Sequence, residues 1–202
     1  MISRQDVPYH RQVEATNCGA ACLQMVVEAL NGKTGSQDDL YNETRQQPLA
    51  EHVKDWFSPP SGVAKVLEER GALRSGAVVV AFDGKGAEED LTRRLVWSLV
   101  DAKVPPIALV LLQPLGPLGS SGADHWVVIV GCGTDAVPKG AADTTYKIHW
   151  LEIHNPWRYQ SDLCPPPPPP PQHMTFVTWR RRYLSSAVPN PYAGKVVAVV
   201  GS

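Results

Sequence analysis

No stretch of this sequence is long and apolar enough to cross a bilayer. The longest apolar runs, Ile107 to Leu112 and Trp126 to Val130, fall far short of the roughly 20 residues a spanning helix needs. They read instead as buried strands. The first residues do not read as a secretory signal either: Met1-Ile2-Ser3-Arg4-Gln5-Asp6 is polar, with no apolar stretch behind it, and none is expected. Surplus charge is lacking, since 19 basic and 20 acidic side chains leave a formal net charge of -1. Nothing long-range therefore draws the chain to nucleic acid or to an anionic membrane, and neither is an expected partner. The basic run Arg180-Arg181-Arg182 is short and reads as a solvated helix face. Cysteine is scarce, with four residues at 18, 22, 132 and 164. Without an export signal these do not suggest a disulfide framework, and no pair has the C-x-x-C spacing of a structural zinc site. Gly131-Cys132-Gly133 is too little for a nucleotide fingerprint and reads as a strand-ending turn. No cofactor and no metal are expected, and the working place is the cytoplasm or another cell reached without a signal peptide. One of the four cysteines is left as a candidate reactive thiol.

What is present is an ordinary globular composition, 43% hydrophobic and 19% charged. The 202 residues suit one domain spanning 1–202. Its first half, about 1–100, reads helical. Asn17 is placed to cap a helix from Cys18 to Leu30, with apolar residues at 22, 23, 26, 27 and 30 on one side and Asn31-Gly32 as the stop. Ser36 with Asp39 forms a capping box opening a short helix to about Thr44. Ser61 opens a third helix running to Gly71, and residues 86–100 form a fourth. The second half, about 101–202, reads as sheet. Its strands are 107–112, 125–130, 146–153 and 195–200, with an earlier candidate at Val78-Val79-Val80. Helices first and strands later give an α+β class with an antiparallel sheet.

Two segments read as irregular, and a last helix follows them. Leu115 to Ala123 is a glycine-rich loop feeding into His125. Pro165 to Pro171, seven prolines in a row, predicts a polyproline II rod, about 22 Å long at ~3.1 Å per residue. It reads as a stiff surface loop or as a ligand for a proline-recognition partner. Thr175 to Ser185 completes the reading as a helix carrying Trp179.

The chemistry starts at Cys18. A thiol attacks a carbonyl only as thiolate, and a helix N-terminus beside an imidazolium lowers its pKa to roughly 3.5–7.5. Cys18 enters the first turn of its helix, its own N–H is free to face an oxyanion, and Gly19 leaves room for a substrate backbone. The plain alternative is a buried structural cysteine, which suits Cys22 in the apolar stripe. The base is sought among six histidines. His125 leads the strand Trp126-Val127-Val128-Ile129-Val130-Gly131, where an imidazole can reach across a cleft. His149 is mid-strand and reads as packed or paired, His10 and His52 lack a strand context, and His154 at the end of the next strand is the competitor. Asp124, beside His125, reads as a loop residue pointing elsewhere.

The run Gln12-Val13-Glu14-Ala15-Thr16-Asn17-Cys18-Gly19-Ala20-Ala21-Cys22-Leu23 resembles the nucleophile motif of the bacteriocin-processing peptidases. These are papain-like enzymes that remove leader peptides after a double glycine. The resemblance implies that Gln12, six residues before the cysteine, supplies a side-chain donor to the oxyanion hole. It also implies that His125 through Gly131 is the base-bearing strand. The third member of a papain-like set sits at the end of the following strand, where this chain has Asn155-Pro156 in place of the usual Asp-Pro. An asparagine carbonyl can accept from the imidazole Nδ1–H and orient it; an Asn-Pro turn without a catalytic task is the alternative.

The expectation is therefore a papain-like cysteine peptidase acting on a peptide or protein, with Cys18, His125, Asn155 and Gln12 as its catalytic residues. Leader-peptide processing and the role of a toxin or effector protease are both open. Two rivals remain at this point. The same residues serve an acyl transferase or glutamine deamidase, and the same groove serves a non-catalytic peptide-binding module.

Overall fold

The computed structural model describes residues 1–70, 76–112, 123–157, 171–182 and 191–201. In order, its elements are β1 (Ile2–Arg4), α1 (Cys18–Asn31), α2 (Gln37–Thr44), α3 (Pro60–Glu69), β2 (Ala77–Phe82) and α4 (Ala87–Trp97). There follow β3 (Ile107–Leu112), β4 (Ala123–Thr134), β5 (Ile148–His154), β6 (Gln172–Thr175), α5 (Phe176–Arg182) and β7 (Val196–Gly201). A 3-10 turn, Val53–Asp55, precedes α3, and a π turn, Ser98–Ala102, follows α4. The expected halt at Gly71, the loop 115–122, the prolines 165–170, Cys164 and residues 183–185 of the last expected helix lie outside the described residues.

The strands form one antiparallel sheet in the order β2-β7-β3-β4-β5-β6. β1 pairs with residues 131–133 of β4. Because β5 holds the other edge of β4 at that level, β1 continues the row that β3 leaves. β1 and β6 were not foreseen, being 3 and 4 residues long with no apolar alternation.

Alternation along the strands explains the apolar runs. Ile107, Leu109, Trp126, Val128, Val197 and Val199 join one core with α1 and α3. Ala108, Val110, Val127, Ile129, Ala198 and Val200 join a second core with α4 and Trp179 of α5. With both faces covered, there is no solvent side to require polar residues, so the strands read as near-continuous apolar stretches. The fold class is α+β as expected, with helices on both faces of the sheet.

α1 is buried almost all round through Val27, not on one side only. Gly19, Ala20 and Ala21 make this feasible, because small side chains admit close neighbours. The helix stops at Gly32, which takes φ 70 and returns its N–H to Glu28 O. α2 opens as predicted, with Ser36 accepting from the Asp39 N–H at 3.1 Å. α3 begins one residue before the expected Ser61, at Pro60, whose missing N–H costs nothing in a first turn.

Candidate active site

Cys18 is the first residue of α1 and is only 8% exposed. Asn17 precedes it as expected but makes no side-chain cap bond and has φ -92, ψ 18. Its amide is drawn to Asp38 Oδ1 at 3.2 Å, and its Oδ1 takes the Thr16 hydroxyl at 3.3 Å. The first N–H groups of α1 are thereby left without a capping side chain. Three backbone N–H groups, of Trp126, Gly19 and Cys18 itself, bear on the sulfur and favour its anion. Burial outweighs them and pushes the Cys18 thiol above its ordinary pKa, with Asp124 adding to the rise. Burial thus works against the expected resting thiolate, because a desolvated sulfur loses more than a helix terminus returns.

The Trp126 N–H brings Cys18 to the backbone of β4 immediately beside His125. His125 is 1% exposed, and its Nε2 lies 2.9 Å from Asn155 Oδ1. The same oxygen accepts the Trp157 N–H at 3.0 Å, which fixes the amide orientation, since a nitrogen there would face two donors. Nε2 is therefore the protonated ring atom, and Nδ1 carries the lone pair. This reverses the expected use of Nδ1 toward Asn155 and leaves Nδ1 as the unprotonated ring atom. The Trp157 ring stands edge-on to His125, centroids 5.2 Å apart, and the His125–Asn155 bond is buried. Burial pushes the His125 pKa down to about 4, against a smaller upward effect of the Asn155 bond. Burial thus opposes charge on thiol and imidazole alike, and no hydrogen bond joins the two.

Gln12 is 2% exposed and close by, its N–H donating to Pro156 O at 2.9 Å. Its side chain departs from the expectation. Nε2 donates to the carbonyls of Glu14 at 3.0 Å and Ala15 at 3.2 Å, so both amide protons are engaged, while Oε1 is buried without a partner. Gln37 was not anticipated, yet it brackets this segment. It donates to Arg11 O and accepts from the Val13 N–H, each at 2.9 Å. Its position at the start of α2 offered no local signal, since the partners lie far off in sequence.

A cleft of about 220 Å³ opens beside Cys18. Trp56, Ser58, Leu109 and Trp126 form its buried walls, and Asp55, Phe57 and Asp124 stand exposed around it. Trp126 ties the sheet to the segment before α3 through Nε1–H to Ser58 O at 3.0 Å. The space above Gly19 is taken by Ser58 and Trp126: a Cβ on Gly19 would overlap Ser58 and come within 3.0 Å of Trp126 Cδ1. That glycine serves packing here and does not leave the expected room for a substrate backbone. Asp124 is a strand residue paired with Leu111, not a loop residue. It shares a side of β4 with Trp126, which explains why it reaches the cleft while His125 turns to Asn155.

The other histidines separate cleanly. His154 is buried with Nδ1 unpartnered, its ring edge-on to Tyr9 at 5.5 Å. His10 meets Glu28 at 2.6 Å, His52 is exposed, and His149, expected to be packed or paired, is exposed, though it helps lower the Asp135 pKa. Cys22 and Cys132 are buried and unpaired, as is Cys18. Burial drives the Cys22 thiol well above its usual range and that of Cys132 to about 11, so both are inert core residues. Among the described residues no cluster of His, Cys, Asp and Glu could hold a metal, and no helix is long and apolar enough to cross a membrane.

No protein-family model matches the chain, and no curated protein matches it in sequence. Solved structures do match. One is a double-glycine-motif protease from an AMS/PCAT transporter, in complex with the leader peptide. It aligns with 99% of this chain and 95% of its own at 16% identity and a TM-score of 0.50. Another is the peptidase domain of Streptococcus ComA, a bifunctional ABC transporter of a quorum-sensing pathway. It aligns over 96% and 97% at 12% identity and a TM-score of 0.45. The architecture is the papain-like α+β fold.

Proposed function

We propose that the chain is a cysteine peptidase, one papain-like domain over 1–202, that cleaves peptide bonds through Cys18. The observation that carries this is the buried His125–Asn155 bond, set one residue from the N–H that touches the Cys18 sulfur. In the reaction the thiol proton passes to His125 Nδ1 as the sulfur attacks the scissile carbonyl. Asn155 accepts from Nε2–H throughout and keeps the ring in that tautomer. The uncapped N–H groups at the start of α1 receive the developing oxyanion. Gln12 adds a donor once a substrate oxygen competes with the Glu14 and Ala15 carbonyls. His125 then protonates the departing amine, and water resolves the thioester. Catalytic hydrogen bonds commonly tighten only in the substrate complex, and this reading requires thiol and imidazole to meet there.

A peptide ligand is in keeping with the leader peptide held by the aligned transporter protease. Incubation with a proteome-derived peptide mixture, read by mass spectrometry, tests the reading. New peptide termini are expected, falling by about 10⁴-fold or more in Cys18→Ala. A one-dalton gain on glutamine, or a crosslink, would instead make it a deamidase or acyl transferase. A specific observation favours the second reading, a peptide-binding module: burial holds the thiol protonated and both Gln12 amide protons are occupied. Peptide binding with turnover equal in the wild type and Cys18→Ala would establish it.

A further inference from the structure

We propose that the cleft beside Cys18 selects a lysine or arginine side chain of the bound peptide, an inference that rests on the peptidase reading. Two carboxylates, Asp55 and Asp124, stand at the exposed edge of a cavity whose walls are otherwise aromatic or aliphatic. At about 220 Å³ the cavity can take a long side chain. A lysine or arginine is apolar along its stem and charged at its tip. The stem would lie against Trp56, Leu109 and Trp126, and the head would meet the two carboxylates and the indole faces.

Among the described residues no cation fills that place. Arg45 is close by, but its guanidinium donates to the carbonyls of Trp56 and Phe57 and lies over the Tyr41 ring. Lys54, next in the chain to Asp55, forms no ion pair with it among the described residues. Asp124 has no ionic partner there either, and desolvation alone moves its pKa upward. Such a carboxylate gains from a cation brought by a ligand.

The cation would also act on the nucleophile. Asp124 is one of the groups holding the Cys18 thiol up, so pairing its charge eases ionisation of the sulfur when the right peptide is seated.

Peptidyl chloromethyl ketones test this with the whole chain, because they alkylate the nucleophile without requiring turnover. Each residue before the reactive group is varied in turn among Lys, Arg, norleucine and Glu, and the rate of adduct formation at Cys18 is followed by intact mass and peptide mapping. At one position the Lys and Arg probes are expected to react roughly tenfold faster than norleucine, with Glu slowest and high salt narrowing the gap. The double variant Asp55→Asn, Asp124→Asn should bring Lys and norleucine to near parity. Norleucine reacting as fast as Lys at every position, or a Lys advantage that survives the double variant, overturns the inference while leaving the peptidase reading standing. Failure of every probe to modify Cys18 overturns the peptidase reading, and this inference with it.

Discussion

The side chain of Asn155 decides what His125 can do. It holds the protonated Nε2 and leaves Nδ1 bare, and it does so by dipole, without a charge that would favour imidazolium. Replacing Asn155 by Asp adds that charge, so the His125 pKa should climb from about 4 back toward or above 6.5. NMR titration of the imidazole C–H signals measures this directly; an unmoved titration would mean that the pair does not persist in solution. Gly19 makes a second residue-scale case. Gly19→Ala drives a methyl into Ser58 and Trp126 and should cost about 1–3 kcal/mol in chemical denaturation. Adding Ser58→Gly should restore part of that loss; equal instability with and without the second change would place the strain elsewhere. The placing of Cys18 at a helix start and of Asn155 just past a strand was legible because local sequence marks both boundaries. The side-chain settings of Asn17 and Gln12 were not, because Asp38 and the 14–15 carbonyls compete for them, and such competition leaves no periodic signal.

Elements were legible where one apolar period ran through them. α1 and the strands β3, β4, β5 and β7 were readable for that reason, and the two-sided burial of the sheet explains why the strands lack polar alternation. β1 and β6 escaped because such short strands exist only through their partners, Gly131 to Gly133 and Trp150 to Ile153. The capping box at Ser36 was visible, but not that α2, through Gln37 and Asp38, would fix the segment leading into Cys18. The crossing of α2 and α3 was equally hidden. A Cβ on Gly62 would overlap the Thr44 carbonyl, which is backbone and cannot rotate away. Gly62→Ala should therefore destabilise by about 3 kcal/mol or more, beyond the common overpacking range. A melting profile like that of the wild type would show that the two helices do not meet as described.

At the scale of the whole molecule, two buried histidines set the acid limit. His125 and His154 each have a folded pKa near 4, against 6.5 for an unperturbed imidazole, with burial as the leading cause. Between those values the unfolded chain binds protons that the native chain refuses. Stability is then complete above about pH 6.5 and is lost as pH falls toward 4. His125 alone accounts for about 3 kcal/mol over that interval. Urea denaturation across pH 4–7 should show the fall, with a shallower slope in His125→Gln; a level profile would contradict the buried neutral imidazoles. Paired carboxylates act lower still, Asp143 near 2 through its bonds to Thr145 and Lys139.

The claim on which the functional account stands is that Cys18 becomes acylated with His125 taking its proton. Rapid quenching of the chain with a peptide thioester or activated ester, followed by intact mass and peptide mapping, measures it. The account predicts one acyl group on Cys18, none in Cys18→Ala, and formation slowed about 10³-fold or more in His125→Ala. Acylation at Cys22, Cys132 or Cys164, or an undiminished rate without His125, would contradict it.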